Sequence, residues 1–308
     1  MKILITGRDG FIARHLVKKL APRHDIRTTI KTDDVVQILN EFNPEYIFHL
    51  GAELADQERM FETNVVLTMK ILEWARDNPV KRVVLFGSSS EYGRSPKPRA
   101  ETDCPMPDTI YEGTKAATAM LARAWSYTYR IPITFIRPFT IYGPDEKPTK
   151  LTQILFQKWL DGSCLELSEG VHDYVYIEDF IQAMCTVAFW EETDVFNMVN
   201  IGSGVQYSNS EFVMAFQEQI GYHFPIKLVK NGKKYDSRCW VADSNLLENK
   251  YKITFGKLNW GLKRLVADFI NGPGRETHRH LLAPQTVASR ELPNGPSNFG
   301  SHLQDEKT

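Results

Sequence analysis

The sequence predicts an α/β fold, a doubly wound parallel sheet with a smaller C-terminal domain interleaved with its last strands. Three observations predict it. Short apolar runs alternate with amphipathic segments of helical period through the first half of the chain. A glycine turn follows the first apolar run and leads directly into a helical pattern. The second half continues with shorter, less regular elements. Such alternation is typical of a parallel sheet covered by helices on both faces.

The first half divides into alternating elements, each bounded by a local signal. Pro44 and Pro79 each stand just beyond a predicted helix, where a proline cannot continue it. The predicted strands are 2–6, 25–30, 46–50, 82–86 and 131–136, and the predicted helices are 11–20, 35–42, 64–76 and 111–129.

The second half is predicted as helices 151–160, 179–190, 210–220 and 259–270 and strands 164–167, 174–177 and 196–201. We therefore expect a dinucleotide-binding domain of residues 1–145 plus about 174–202, and a substrate domain of about 146–173 and 203–270. Prolines, glycines and polar residues break every period after 270, which predicts a disordered tail at 271–308. His278 and His280 lie in that tail, where no fold would hold a metal.

Composition excludes several classes of protein. The 308 residues carry 37 Lys and Arg against 38 Asp and Glu, a net charge of −1, which gives no electrostatic support for a nucleic-acid or membrane partner. Four scattered cysteines without C-x-x-C spacing indicate neither a metal site nor a disulfide framework. With no signal peptide and no membrane-length apolar run, we expect a cytoplasmic protein.

The glycine turn, residues 6–13, follows the first strand and opens the first helix. Glycines permit a tight turn and close backbone approach, while a helix N-terminus offers free N–H groups to a pyrophosphate. This predicts a Rossmann-like dinucleotide site whose cofactor-binding residues here are Gly7, Arg8, Gly10, Phe11 and Ile12.

The second strand lacks the acidic residue that usually holds the adenosine ribose at its end. Its end reads Thr28-Thr29-Ile30-Lys31, with acids only afterwards. Lys31 and Arg8 are candidates to face a 2′-phosphate instead, although both would equally suit solvated surface positions. The choice between NAD and NADP therefore stays open.

Tyr111 and Lys115 are four residues apart in a predicted helix, so both lie on one helix face. A phenol with a pKa near ~10 is a poor base at neutral pH, and an adjacent ammonium favours its ionised form. This spacing predicts an acid–base pair.

Several motifs in one order resemble the extended short-chain dehydrogenase/reductase superfamily, in particular the NAD-dependent epimerase/dehydratase family that modifies nucleotide sugars. The resemblance covers roughly residues 1–270. The matching stretches are TGRDGFIARHL from Thr6, HLGA from His49, NVVLT from Asn64, GSSSEYG from Gly87, ETDCPMP from Glu101, YEGTK from Tyr111, RPFTIYGP from Arg137, HDYVYIED from His172 and NIGSG from Asn200.

The resemblance implies an enzyme with a nicotinamide cofactor, and roles for individual residues. Tyr111 would exchange a proton with the sugar, while Lys115 would lower the pKa of Tyr111 and bind the nicotinamide ribose. Ser88 would bond the reacting oxygen, or Ser89 if the loop is one residue shorter. Further cofactor contacts are implied for Leu50, Gly51, Ala52, Pro138 and Phe139.

Three serines from Ser88 stand where the 4,6-dehydratases of the family carry Thr-Asp-Glu. This favours a 4-epimerase or a 4-keto reductase. A dehydratase or decarboxylase using Glu91 is the alternative, and a non-catalytic dinucleotide-binding sensor is a third hypothesis.

The implied substrate-binding residues are Ser88, Glu91, Thr140, His172 and Lys233. His172 and Thr140 stand where Arg and Asn are common in the family, which suggests a sugar other than the commonest UDP-hexoses. A homodimer is expected, with helices 64–76 and 111–129 pairing across a two-fold axis, although their apolar stripes would equally suit an internal core.

Overall fold

The computed structural model describes residues 1–191, 194–230 and 239–272, and Met1–Asp268 form one compact unit. A second unit starts at Phe269. The predicted contact of Lys233 lies outside the described residues. So do the predicted disorder of 273–308 and the histidines within it.

Eleven strands and ten α-helices are assigned in the described residues. The strands are β1 Lys2–Thr6, β2 Asp25–Thr29, β3 Tyr46–His49, β4 Arg82–Phe86, β5 Ile133–Pro138, β6 Thr140–Tyr142, β7 Leu165–Ser168, β8 Val171–Tyr176, β9 Phe196–Ile201, β10 Gln206–Ser208 and β11 Ile226–Val229. The helices are α1 Phe11–Leu20, α2 Val35–Phe42, α3 Gln57–Phe61, α4 Leu67–Asp77, α5 Ile110–Tyr129, α6 Leu151–Asp161, α7 Ile177–Phe189, α8 Asn209–Ile220, α9 Asn245–Asn249 and α10 Leu258–Asn271.

The central sheet confirms the predicted doubly wound α/β fold. Its six strands run parallel in the order β2-β1-β3-β4-β5-β9. The direction of winding changes beside β1, so the carboxyl ends of β1 and β3 flank the crevice where ligands of such sheets bind. The strands read as apolar runs because both faces are covered, and Ile3, Leu4 and Ile5 are each 0% exposed.

Helices α2, α4 and α5 cover one face of the sheet. Their apolar side chains share a core with residues of β1, β3, β4 and β5. Helices α1 and α7 contact one another. Burial of these amphipathic faces fixes how each helix lies on the sheet.

Two smaller sheets lie outside the central one. Strand β8 pairs parallel with β6 and antiparallel with β10, and β7 pairs parallel with β11. Strands β6, β10 and β11 were not predicted, because they are only three or four residues long and show no buried alternation. The predicted boundaries between a dinucleotide and a substrate domain stay predictions.

The helix predicted at 64–76 is divided in the structure. Helix α3 is followed by a π-helical turn, Glu62–Val66, and then by α4. Within this turn the side chain of Asn64 accepts from Glu53 N at 2.8 Å and donates to Thr114 Oγ1 at 3.0 Å. These partners are distant in sequence, so helical periodicity could not have shown the turn. Such turns are frequent at functional sites.

None of the helices within the described residues has the length and apolar character needed to cross a membrane.

Candidate active site

The glycine turn brings the ends of β1 and β3 into close approach. Gly7 has φ +73°, and a Cβ there would lie 2.9 Å from both N and Cα of Gly51. Only glycine fits this conformation and spacing without strain. Gly10 N donates to Gly7 O at 2.8 Å and closes the turn. The result is a backbone surface without side chains at the predicted dinucleotide site.

The N-terminus of α1 faces out of this turn with its backbone N–H groups uncapped by side chains. Gly10 is the N-cap residue, and the first helical turn holds no acidic residue. A phosphate is the ligand that such a terminus favours. Phe11 and Ile12 are half-buried in this first turn, and Phe11 packs edge-on against His15 at a centroid distance of 5.4 Å.

His49, at the end of β3, carries a buried ring nitrogen without a partner. Thr6 Oγ1 lies 2.8 Å from Nδ1, whereas Nε2 has no hydrogen-bond partner among the described residues. Burial lowers the pKa of His49 to about 3, and the charge of Lys115 acts in the same direction. The imidazole is therefore neutral. Gly7, the uncapped α1 terminus and this orphaned nitrogen all fit a bound dinucleotide.

The residues after β3 continue the same surface. Leu50, Gly51 and Ala52 are half-buried, and Gly51 N donates to Thr6 Oγ1 at 3.0 Å. They therefore lie beside the glycine turn, as the cofactor contacts predicted for them require, and those contacts stay predictions.

At the end of β2, both nearby acids are bonded to local backbone groups. Asp33 Oδ2 accepts from Ile30 N at 2.8 Å, and Asp34 caps α2 through Val36 N and Gln37 N. Each carboxylate is therefore held by local backbone groups through one of its two oxygens.

Arg8 and Lys31 are the cations at this strand end. Arg8 N donates to Thr29 O at 2.9 Å, so Arg8 lies directly beside the end of β2. Its guanidinium is 3.6 Å from the exposed Asp9. Lys31 pairs with Glu53 at 2.8 Å, and this bond, followed by the Ala55 and Asp56 N–H groups, lowers the pKa of Glu53 to about 2. The expected 2′-phosphate contacts stay predictions.

Helix α5 carries Tyr111 and Lys115 in its first two turns. A reciprocal capping box fixes its start, since Glu112 N donates to Thr109 Oγ1 and Thr109 N donates to Glu112 Oε2. The ammonium of Lys115 donates to Phe86 O, the last carbonyl of β4, at 2.8 Å. Burial lowers the pKa of Lys115 to about 8, and the negative charge of Glu91 opposes this shift.

The pKa of Tyr111 moves in the direction opposite to the one predicted. Burial, then the negative charges of Glu91 and Glu112, raise it to about 12, while a hydrogen bond from Ser88 acts against this. The predicted lowering by Lys115 is not seen, because desolvation dominates and the ammonium is directed to the Phe86 carbonyl. In this state the phenol of Tyr111 is a proton donor.

The serine turn, residues 87–93, follows β4 and faces Tyr111. Ser88 begins its 3₁₀ helix Ser89–Tyr92, and its hydroxyl accepts from Ser90 N at 3.2 Å and lies 2.7 Å from Ser90 Oγ. The Ser88 hydroxyl is near enough to Tyr111 to act against the rise of its pKa. Of the two serines left open by the sequence, Ser88 is the one with this effect on the tyrosine.

Ser89 is bonded to a residue that the sequence did not indicate. Trp240 Nε1 donates to Ser89 Oγ at 3.2 Å, and Trp240 N donates to Gln206 Oε1 at 2.7 Å. Trp240 lies in an irregular stretch far along the chain, and its only sequence signal is an aromatic residue outside any periodic element. It connects the serine turn to the smaller sheet that contains β10.

Glu91 lies beneath the serine turn and is 0% exposed. Its Oε1 accepts from Ser88 N at 2.6 Å, and its Oε2 accepts from Arg137 Nε at 2.8 Å. Both oxygens are thus bonded within the protein. The direct sugar contact predicted for Glu91 would require this arrangement to open.

The remaining predicted site residues lie on β6 and β8 and at the end of β5. Thr140 Oγ1 is 3.3 Å from His172 Nδ1, so the structure brings these two predicted substrate contacts together. Phe139 is buried and its N–H donates to Ile201 O at 3.0 Å, while Pro138 is half-buried.

A protein-family model described as "NAD dependent epimerase/dehydratase family" matches residues 3–202. Among curated proteins, the chain is 26% identical to a probable UDP-glucuronate 4-epimerase of Rhizobium meliloti, an alignment covering 72% of this chain and 83% of that protein. It is also 26% identical to dTDP-glucose 4,6-dehydratase 1 of Escherichia coli, over 85% and 87% of the two chains.

A solved structure, MoeE5 in complex with UDP-glucose and NAD, superimposes with a TM-score of 0.77. It is 26% identical, and the superposition covers 87% of this chain and 98% of that chain. The chain is thus equally identical in sequence to an epimerase and to a dehydratase. Sequence identity therefore does not distinguish between these two reactions.

Proposed function

The chain belongs to the NAD dependent epimerase/dehydratase family, and on this basis we propose that it is an NAD(P)-dependent nucleotide-sugar 4-epimerase or 4-keto reductase. Its relatives are named as nucleotide-sugar epimerases and dehydratases. NAD(P) and a nucleotide sugar are the proposed ligands, since MoeE5 binds NAD and UDP-glucose.

The composition of the serine turn is the observation that carries the proposal. It carries three successive hydroxyls, Ser88, Ser89 and Ser90, of which Ser88 acts on Tyr111, while its carboxylate, Glu91, is buried against Arg137. Elimination of water from a sugar needs an additional acid and base at the substrate. A turn of hydroxyls instead supports proton exchange at a single oxygen.

In the proposed reaction Tyr111 exchanges a proton with the sugar oxygen at the reacting carbon. Ser88, which lowers the pKa of Tyr111, would hold the same oxygen. The chemistry that NAD(P) supplies when bound is hydride transfer at that carbon. Lys115 would hold positive charge close to this proton exchange, and Gly7 with the α1 terminus would receive the diphosphate of the dinucleotide.

The test is to incubate the purified chain with a panel of UDP-, dTDP- and GDP-sugars and either cofactor, and to identify products by NMR. A 4-epimer without net cofactor consumption supports an epimerase. Stoichiometric oxidation of NAD(P)H by a 4-keto sugar supports a reductase. A 4-keto-6-deoxy or decarboxylated product would overturn the proposal in favour of the alternative reaction, and cofactor binding without turnover of any sugar would favour a sensor.

We also propose that the chain forms a homodimer through α5 and the helices before it. Large apolar side chains are exposed there, including Phe61 at 61%, Met120 at 48% and Tyr127 at 50%. Light scattering coupled to size exclusion gives the molar mass. A monomer at micromolar concentration would contradict this proposal.

A further inference from the structure

A buried ion pair lies directly beneath the serine turn. Glu91 and Arg137 side chains are 0% and 1% exposed, and their Oε2 and Nε atoms are 2.8 Å apart. Arg137 also donates from Nη1 to the Tyr92 hydroxyl at 2.9 Å. Removing two charges from water is costly, and an apolar pair of similar volume would often be at least as stable. A contribution to the stability of the fold therefore explains the presence of this ion pair only weakly.

The carboxylate of Glu91 directly holds the backbone of Ser88. Its Oε1 accepts from Ser88 N at 2.6 Å, while the Ser88 hydroxyl caps the same turn through Ser90 N. A Cβ on Gly87 would overlap the Glu91 carboxylate and the Phe135 ring. The carboxylate thus packs against the end of β4 and holds Ser88, the serine that lowers the pKa of Tyr111.

Lys115 binds the same strand end through the adjacent carbonyl. Its ammonium donates to Phe86 O, one residue before Gly87. Burial lowers the pKa of Lys115, and Glu91 is the charge that raises it again. The other charged or titratable groups near Glu91 and Lys115 are Glu112 on α5, neutral His49 on β3 and Arg137 on β5. Burial raises the pKa of Glu91, and the Arg137 guanidinium acts against this shift.

We propose that Glu91 is a positioning residue, whose carboxylate holds Ser88 in place and keeps the buried Lys115 ammonium charged. The position of Ser88 and the charge of Lys115 would then both depend on one buried anion. The expected change in kinetics rests on the proposed function. The expected effect of Glu91 on Lys115 does not require any substrate.

The test compares Glu91→Gln with the double variant Glu91→Gln/Arg137→Met. The double variant removes both charges, so it does not leave an unpaired buried cation and is the variant expected to fold. Glu146→Gln is the matched control. Glu146 is another partly buried carboxylate, bonded to Gly143 N and Thr152, and it exerts no effect on Tyr111 or Lys115.

The first measurement is an NMR titration of the Lys115 ammonium, assigned by its loss in a Lys115→Met spectrum. Removing a nearby anion makes deprotonation easier, so we expect the midpoint to fall by about one pH unit in both Glu91 variants. Glu146→Gln should leave it unchanged. An unchanged midpoint in the double variant would overturn the proposal, and this readout remains valid even if no nucleotide sugar is turned over.

The second measurement is the pH profile of kcat/KM for the sugar identified above. Loss of the Glu91 charge should shift the limbs due to Tyr111 and Lys115 together toward lower pH, because Glu91 raises both pKa values. A different result is expected if the Glu91–Arg137 pair only stabilises the fold. The double variant would then fold and keep the wild-type limbs, which would contradict a positioning role.

Discussion

The glycine turn and the serine turn follow two strands of one sheet at the same carboxyl edge, but they are built in different ways. The glycine turn presents backbone, because Gly7 and Gly51 approach too closely for any side chain. The serine turn presents side chains whose positions depend on Glu91 within the turn and on Arg137 and Trp240, which belong to other parts of the chain. A backbone surface suits a ligand part common to all dinucleotides, whereas side-chain contacts suit the specific chemistry of one substrate.

The largest expected effect is a loss of turnover without a loss of cofactor binding, which would assign these two properties to different turns. Tyr111→Phe removes the proton-exchanging hydroxyl, so we expect kcat to fall by about 10²- to 10⁴-fold. Binding of NAD(P), measured by calorimetry, should change little because the glycine turn is intact. Tyr127→Phe, an exposed position on the same helix, is the control and should keep full activity. Turnover retained in Tyr111→Phe would remove the tyrosine from the mechanism.

The second prediction concerns what holds the serine turn. Arg137→Met leaves Glu91 buried without its partner, and we expect it to lower the free energy of unfolding by about 3–5 kcal/mol. Glu91→Gln should have a similar cost. The double variant should recover most of that loss, as a urea titration of all three would measure. Additive losses in the double variant would show that the two side chains do not act as a pair.

The third prediction tests the backbone surface of the glycine turn. Gly7→Ala places a Cβ 2.9 Å from Gly51 at a φ of +73°, a conformation that costs an L-residue about 1–2 kcal/mol before any steric overlap. We expect a loss of about 2–3 kcal/mol in stability and weaker cofactor binding. Gly113→Ala is the matched control. It meets no atom within 4 Å in a helix interior, so it should stabilise the chain by about 0.5–1 kcal/mol.

The same difference decides how much of the site the sequence predicted. The glycine turn was predicted because Gly7, Gly10 and the following helix are local in sequence. Strands β1 to β5 were predicted as short strand-like runs between helical segments, and helix α5 was predicted from its helical periodicity. Trp240 and the π-helical turn were not, since their contacts to Ser89 and Thr114 join residues far apart in the chain. The pKa of Tyr111 was predicted in the wrong direction because spacing shows a neighbour but not the extent of burial.

The fourth prediction concerns Lys115, the buried cation of helix α5. The pKa of Lys115 is about 8 in the folded chain against about 10.4 when unfolded, so the unfolded chain binds more protons between these values. Stability due to this group therefore rises with pH across that window, and below it the charge destabilises the fold. Lys115→Met should raise the free energy of unfolding at pH 7 by about 2 kcal/mol and flatten that pH dependence. A destabilised variant would show that the bond to Phe86 O outweighs desolvation.

The smallest expected effect lies at the end of β2, beside the glycine turn, where the adenosine ribose of a dinucleotide is predicted to bind. Arg8 and Lys31 are largely exposed, so each contact to a 2′-phosphate should be worth only about 1 kcal/mol. If they face that phosphate, Arg8→Ala and Lys31→Ala will weaken NADP binding several-fold and leave NAD binding unchanged. The exposed Lys18→Ala on α1 is the control. Equal losses of affinity for NAD and NADP would place these cations at the diphosphate that both cofactors share. Unchanged affinities for both would mean that Lys31 serves only its pair with Glu53. The end of β2 would then not discriminate between the two cofactors.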